Sequence, residues 1–373
     1  MNFGGRPRAL LLTLSAVLWT LSAMADDGGD HQVTHGQPSS DFEVFVSGEA
    51  HHFTAPESGS ELNEDANLIG DAVLAVNRDR FRLFGEFQLS NQEHDLERFQ
   101  VGFEPVPDTV IWLGRFHQPA SAWNTEHHHG RYLQTAITRP SIELWEDEGG
   151  LIPQHITGLY IDSRRAVGDG GGLHLATGAG LGTVIQSSGL SEYDLLDPHT
   201  TGRRLSLSAR VAYLPDYVGT SEFGLLFAHN NMTVLNSTTA RLLHATKVEQ
   251  SLYGGFVNLN SAPWRLQFAI YALRMDLSEM GADKNEDMEA GYLQVERQLP
   301  KQFTVYAREE NSSRAAQSTF VVVNHPYFEL RRATVGLRWD FWRHQALTAE
   351  AAHGQTIGAH EYEYRLQWSA AIP

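Results

Sequence analysis

Apolar and polar residues alternate with a period of two along most of this chain. Phe81, Leu83, Gly85, Phe87 and Leu89 share one face, while Arg80, Arg82, Glu86 and Gln88 share the other. Phe99, Val101 and Phe103 oppose Arg98, Gln100 and Gly102, and Leu205, Leu207, Ala209, Val211 and Tyr213 oppose Arg204, Ser206, Ser208 and Arg210. Towards the end, Ala333, Val335, Leu337, Trp339 and Phe341 stand against Arg332, Thr334, Gly336, Arg338 and Asp340. Tyr362, Tyr364, Leu366 and Trp368 stand likewise against Glu361, Glu363, Arg365 and Gln367. This is the strand period, not the helical one. Sixteen candidate strands start near Phe42, Ala66, Arg80, Leu96, Thr109, His155, Gly171, Arg203, Ser221, Lys247, Trp264, Met288, Phe303, Tyr327, Ala346 and Glu361. The breaks between them alternate. Short ones are Asn77 to Asp79, Asn260 to Pro263, Pro300 to Gln302 and Trp342 to Gln345; long ones include His52 to Asp65, Gln118 to Gln154, Gln186 to Gly202, Met232 to Thr246, Ser278 to Asp287 and Ser312 to Pro326.

Short turns alternating with long loops on an even strand count predict an all-β transmembrane antiparallel barrel of the bacterial outer-membrane kind. In hydrocarbon every backbone N–H and C=O needs an internal partner, so a spanning sheet must close. Lipid outside and water inside then impose the alternation on each strand. A soluble sandwich alternates too, with its apolar face inward, but its strands run shorter. Aromatics near strand ends (Phe53, Trp112, Tyr213, Trp264, Trp339, Phe341, Trp368) fit interfacial girdles. Sixteen strands enclose a water-filled channel. Strands six, seven and fifteen are weakly patterned, which leaves fourteen or eighteen open.

Residues 1–25 read as a secretory signal: Arg6 and Arg8, an apolar run from Ala9 to Ala23, and the small-x-small pattern Ala23-Met24-Ala25. Its removal leaves about 348 residues carrying about −19, divided into a flexible stretch over 26–40 and the barrel over 41–373. A chain of net charge −17 is a poor binder of nucleic acid. The complete absence of Cys excludes disulfides, thiolate metal sites and a Cys nucleophile. There is no G-x-S-x-G, no H-E-x-x-H and no phosphate loop, so no enzyme is expected. Gly178-Ala179-Gly180-Leu181-Gly182 lies in a strand pattern and relieves crowding there rather than binding a nucleotide.

The longest loop, Gln118 to Gln154, carries Trp123, three consecutive His, Arg131, Arg139 and the acids Glu143, Glu146, Asp147 and Glu148. A loop this long is functional or disordered, and its apolar residues argue against disorder. The stretch Gly114-Arg115-Phe116-x-x-Pro119 leading into it resembles the strand-to-loop junction of outer-membrane porins of the phosphate-selective type. That resemblance implies a third external loop folded into the lumen as a constriction, and assembly as a homotrimer. Two departures stand out. Only Lys247, Lys284 and Lys301 are lysines, too few for a lysine funnel, and the chain ends in Ile372-Pro373 without a terminal aromatic.

Arginines placed by alternation on the inner face (Arg80, Arg82, Arg98, Arg115, Arg204, Arg210, Arg308, Arg332, Arg338, Arg365) either set a transverse field across the pore or simply pair with interior carboxylates. The expected constriction combines that wall with His127, His128, Arg131, Arg139, Glu143, Glu146 and Asp147 of the loop. The acidic runs Glu61 to Asp65, Glu143 to Glu148 and Asp283 to Glu289 read as solvated loop faces. Overall acidity favours cations mildly, and the wall arginines oppose it. Glu126-His127-His128-His129 has metal-ligand residue types, but adjacent residues point opposite ways, so no metal or other cofactor is assigned. The leading function is a passive diffusion channel for small hydrophilic solutes or ions, in contact with outer-membrane lipid and lipopolysaccharide. The alternative is a non-channel barrel, either a His-rich metal-binding surface protein or a barrel hydrolase.

Overall fold

The computed structural model describes residues 39–54, 64–90, 94–127, 131–146, 148–187, 189–193, 195, 201–279 and 283–372. The signal segment and most of the 26–40 stretch lie outside the described residues. The barrel strands are β1 (Ser39–Thr54), β2 (Glu64–Arg78), β3 (Phe81–Ser90), β4 (His94–Val106), β5 (Thr109–His117), β6 (His155–Val167) and β7 (Gly171–Leu181). A small hairpin, β8 (Val184–Gln186) and β9 (Gly189–Ser191), stands apart. The barrel resumes with β10 (Leu205–Leu214), β11 (Glu222–Thr233), β12 (Ala245–Ser261), β13 (Trp264–Glu279) and β14 (Lys284–Leu299). It ends with β15 (Phe303–Ser313), β16 (Arg331–Trp342), β17 (Gln345–Gln355) and β18 (His360–Ile372).

These sixteen strands form one closed antiparallel barrel in which sequence neighbours pair and β7 joins β10. The seam is the β1–β18 pair, in register from Val44–Ile372 to Thr54–Tyr362. Every strand predicted from the alternation is present, with starts displaced by at most four residues. The largest displacements are at β14, where the polar run Lys284 to Asp287 hides the strand from a hydrophobicity reading, and at β16. The long loop expected over Ser278 to Asp287 therefore shrinks to residues 280–283, and the acids of Asp283 to Glu289 fall mostly on β14 rather than on a loop.

The barrel is inside-out relative to a soluble sheet. In β10, Leu205, Val211 and Tyr213 are exposed while Ser206, Ser208 and Arg210 are buried. In β16, Ala333, Val335, Leu337 and Trp339 are exposed while Arg332, Thr334 and Arg338 are buried. Apolar out and polar in is what a bilayer selects. Tyr213, Trp264, Trp339, Phe341 and Trp368 are exposed at the end of the barrel that holds the short turns, as a girdle should be. Trp112 is not part of it. It alternates with the exposed Ile111 and Leu113 and so points inward, where it covers Gly102. The side chain of Phe53 lies outside the described residues.

The buried apolar cluster is one-sided. Trp123, Ile142, Leu151 and Ile152 of the long loop share it with Leu226, Val248, Leu252, Phe256, Tyr271, Met275 and Tyr292 on the inner faces of β11 to β14. Gly178 and Gly180 of the glycine stretch sit where a Cβ would meet Phe116 at 2.4 Å and the Thr157 carbonyl oxygen at 2.3 Å, which explains them as close-packing residues.

Candidate functional site

The long loop leaves β5 through a glycine that no other residue replaces cheaply. Gly114 has φ +144°, and a Cβ there would lie 2.0 Å from the carbonyl oxygen of Phe99. Arg115, expected on the inner face by alternation, in fact shares the parity of exposed Leu113, yet beyond the turned Gly114 its side chain is fully buried, 2.9 Å from Asp95 and 2.8 Å from Glu192. Gly114→Ala is expected to cost more than ~1 kcal/mol through this backbone conformation alone. Reduced recovery of the heat-modifiable folded band on gel electrophoresis checks it, and wild-type recovery would contradict it.

From there the loop's backbone is held almost group by group. The wall carboxylate Glu350 accepts from the N–H of Ile137 at 3.0 Å and of Thr138 at 3.3 Å. Glu310 accepts from the N–H and hydroxyl of Ser141 at 2.6 and 2.7 Å. Wall guanidiniums serve the carbonyls. Arg308 donates to the Thr138 oxygen at 2.8 Å, and Arg338 donates to those of Tyr132 and Gln134 at 2.6 and 2.5 Å. An extended segment away from regular structure has to satisfy its N–H and C=O groups somewhere, and here the barrel wall supplies both partners. Arg210 reaches Thr125 at 2.7 Å, Glu296 accepts from Thr135 at 2.7 Å, and Glu49 pairs with Arg131 at 2.5 Å.

Within the loop, Glu143 is the hub. It is fully buried and accepts from the Trp123 N–H at 2.8 Å, the Ser121 hydroxyl and the Tyr271 hydroxyl. Burial raises its pKa, and those same donors oppose the rise. Glu146 is buried as well and caps the Gln154 N–H at 2.6 Å. These two acids are therefore not solvated loop faces, contrary to expectation: they replace water as the acceptor for buried N–H groups. Of the loop's apolar residues, Trp123 and Ile137 are buried, but Leu133 is 47% exposed.

His127 lies in a short helix (Asn124–His127) with its ring 4.6 Å from that of Trp123. Its Nε2 accepts from Arg265 at 3.1 Å and from Gln267. Burial, then the neighbouring Arg265 charge, hold its pKa well below the ordinary histidine value. His128, His129 and Asp147 lie outside the described residues. Among the wall arginines, Arg82 pairs with Glu104, Arg98 with Glu86, Arg210 with Glu222, Arg332 with Glu329 and Glu363, and Arg365 with Glu49 and Glu363. Two further placements are corrected. Arg80 is exposed in the β2–β3 turn, and Arg204 is exposed just before β10, where it donates to Thr233 at 2.9 Å. The alternation in both cases extends one residue past the strand.

A cavity of about 650 Å³ remains at the edge of the apolar cluster, lined in part by Phe328 of that cluster and by Val323 packed against it. Arg131, Arg139 and Glu148 of the loop face Arg332, Glu363 and Arg365 of β16 and β18 across it. Arg139 stacks on Trp145 at 4.1 Å and lies 3.8 Å from Glu148, which is 3.9 Å from Arg131. The sequence reading missed the wall acids Glu49, Glu310 and Glu350. The signal is present in the sequence, because each sits on the inner parity of its strand.

No protein-family model matches the chain, and no curated protein is similar to it in sequence. Solved structures are similar in fold. The anion-selective porin of Comamonas acidovorans superposes with a TM-score of 0.57 at 12% identity, over 90% of this chain and 100% of that one. OmpF of Salmonella typhi, in complex with daunomycin, gives 0.54 at 10% identity, over 88% and 97%. The outer-membrane protein OmpT of Vibrio cholerae in its trimer form gives 0.51 at 9% identity, over 90% and 100%. The chain thus has the sixteen-stranded barrel fold of the Gram-negative outer-membrane porins.

Proposed function

We propose that the protein is an outer-membrane porin, a passive channel for small hydrophilic solutes, exported through the signal segment at residues 1–25. The observation that carries the reading is the closed barrel, apolar outside and polar inside, with a charged cavity of about 650 Å³ left between the long loop and β16–β18. In this reading residues 118–154 fold into the lumen against its apolar wall, and the cavity is the narrowest part of the path. The arginines then divide in role: Arg308 and Arg338 of the wall hold the loop, whereas Arg131 and Arg139 of the loop and Arg332 and Arg365 of the wall line the opening.

Four guanidiniums face three carboxylates there, those of Glu148, Glu329 and Glu363. In a narrow low-dielectric bore that balance outweighs the net acidity of the chain, so a mild anion preference follows. Burial raises the pKa of Glu329, which makes it take up a proton early as pH falls, and the preference should strengthen on acidification. Planar-bilayer recording of the refolded chain tests the reading. Discrete conductance steps are expected, grouped in threes if the protein assembles as a homotrimer like the Vibrio protein. Under a salt gradient, the double variant Arg131→Glu, Arg139→Glu should reverse the sign of the zero-current potential. A membrane that stays silent at micromolar protein excludes the channel, and an unmoved potential excludes these residues from its lining.

A further inference from the structure

A second cluster stands at the root of the long loop, joined to Arg139 of the opening through Trp145. His117 ends β5 and His155 begins β6, directly opposite each other in register. Their rings are edge to face with centroids 5.1 Å apart, and Trp145 lies against both, at 5.5 and 5.3 Å. Glu97 of β4 brings a carboxylate to 3.3 Å from Nε2 of His155. The ligand atoms of Glu97, His117 and His155 all lie within 4.8 Å of one another. Behind them, Nδ1 of His155 faces Glu192 at 2.5 Å and Glu146 at 3.3 Å.

We propose that Glu97, His117 and His155 bind one divalent transition-metal cation of the zinc type. Two imidazoles and one carboxylate form a donor set that suits zinc and leaves a fourth position for water, whereas magnesium and calcium ask for oxygen ligands throughout. A histidine that ligates through one ring nitrogen donates its other N–H to a carboxylate, which fixes the tautomer and aims the ring. Glu192 and Glu146 are placed to do this for His155, turning Nε2 toward Glu97 and His117. Charge points the same way. The carboxylates of Asp95, Glu97, Glu146 and Glu192 gather around the guanidiniums of Arg115 and Arg203, a surplus that a dication offsets. Tetrahedral ligands at ~2.0 Å from zinc stand about 3.3 Å apart, so modest side-chain rotation closes the set. The ion would reach it past Glu97 and Glu192, whose side chains are 12% and 25% exposed against 4% for His155. His127 is a different place, with its Nε2 already held by Arg265 and Gln267.

The test uses the full refolded chain in detergent, with zinc measured by equilibrium dialysis and cobalt by its visible absorption. One equivalent of zinc and a tetrahedral cobalt spectrum are expected. Glu97→Gln and His117→Ala should each abolish both, and Glu192→Gln should weaken zinc binding by ~10–100-fold. Replacing His127, His128 and His129 together with Ala should leave both intact. Heat-modifiable migration shows that each variant is a closed barrel. Glu97→Gln, which changes one partly exposed atom, keeps the question answerable if His117→Ala does not fold. Absence of zinc binding by the wild type overturns the proposal, and so does binding that survives Glu97→Gln but disappears with the tract.

Discussion

Replacing residues 124–148 with a short Gly-Ser linker is expected to raise single-channel conductance several-fold and bring the zero-current potential close to zero. His117 and His155 are adjacent in the sheet, so a short connection closes the β5–β6 hairpin without disturbing either strand. A sixteen-stranded barrel without an internal obstruction is an aqueous channel. What the deletion removes is the loop side of the lined opening, including Arg131, Arg139 and Glu148. Bilayer recording at fixed salt gives both quantities, and a conductance equal to that of the wild type would mean that the loop lies outside the conduction path.

The second large effect is expected at Glu143. Glu143→Leu leaves the Trp123 N–H and the hydroxyls of Ser121 and Tyr271 without their acceptor in a site closed to water. Stranding several buried donors at once costs about 3–5 kcal/mol. Glu143→Gln should cost clearly less, since the amide oxygen still accepts. Urea unfolding of the protein in vesicles orders the three proteins, and equal stability of the Leu variant and wild type would refute the hub. In the recordings, the Leu variant should flicker between conductance levels as the loop works loose.

The barrel was legible because lipid imposes a rule that each strand obeys separately. Leu205 to Tyr213 and Ala333 to Phe341 show the alternation without any knowledge of their neighbours. Where that rule stops, the reading slipped. Arg80 and Arg204 continue the pattern one step past a strand, Trp112 is a large aromatic that points inward, and Lys284 to Asp287 form a strand too polar to show. The inner site was less legible for a physical reason. Partners such as Glu350 with Ile137 or Glu143 with Tyr271 lie far apart in sequence, and only closure of the sheet brings them together. A glutamate in a long loop reads as solvated unless its donors are known. The conformation of Gly114 was likewise invisible, although the residue itself marked the junction.

The β1–β18 seam carries a consequence for how this chain reaches its final state. The two strands that close the sheet lie more than 300 residues apart, at Ser39–Thr54 and His360–Ile372. Pairings of such sequence separation form late, because the entropy of closing the intervening chain comes before their reward. Until then β1 offers an unsatisfied row of N–H and C=O groups, which invites association with any other open edge. Until the seam forms, the chain is therefore expected to be prone to association through that margin, in competition with closure.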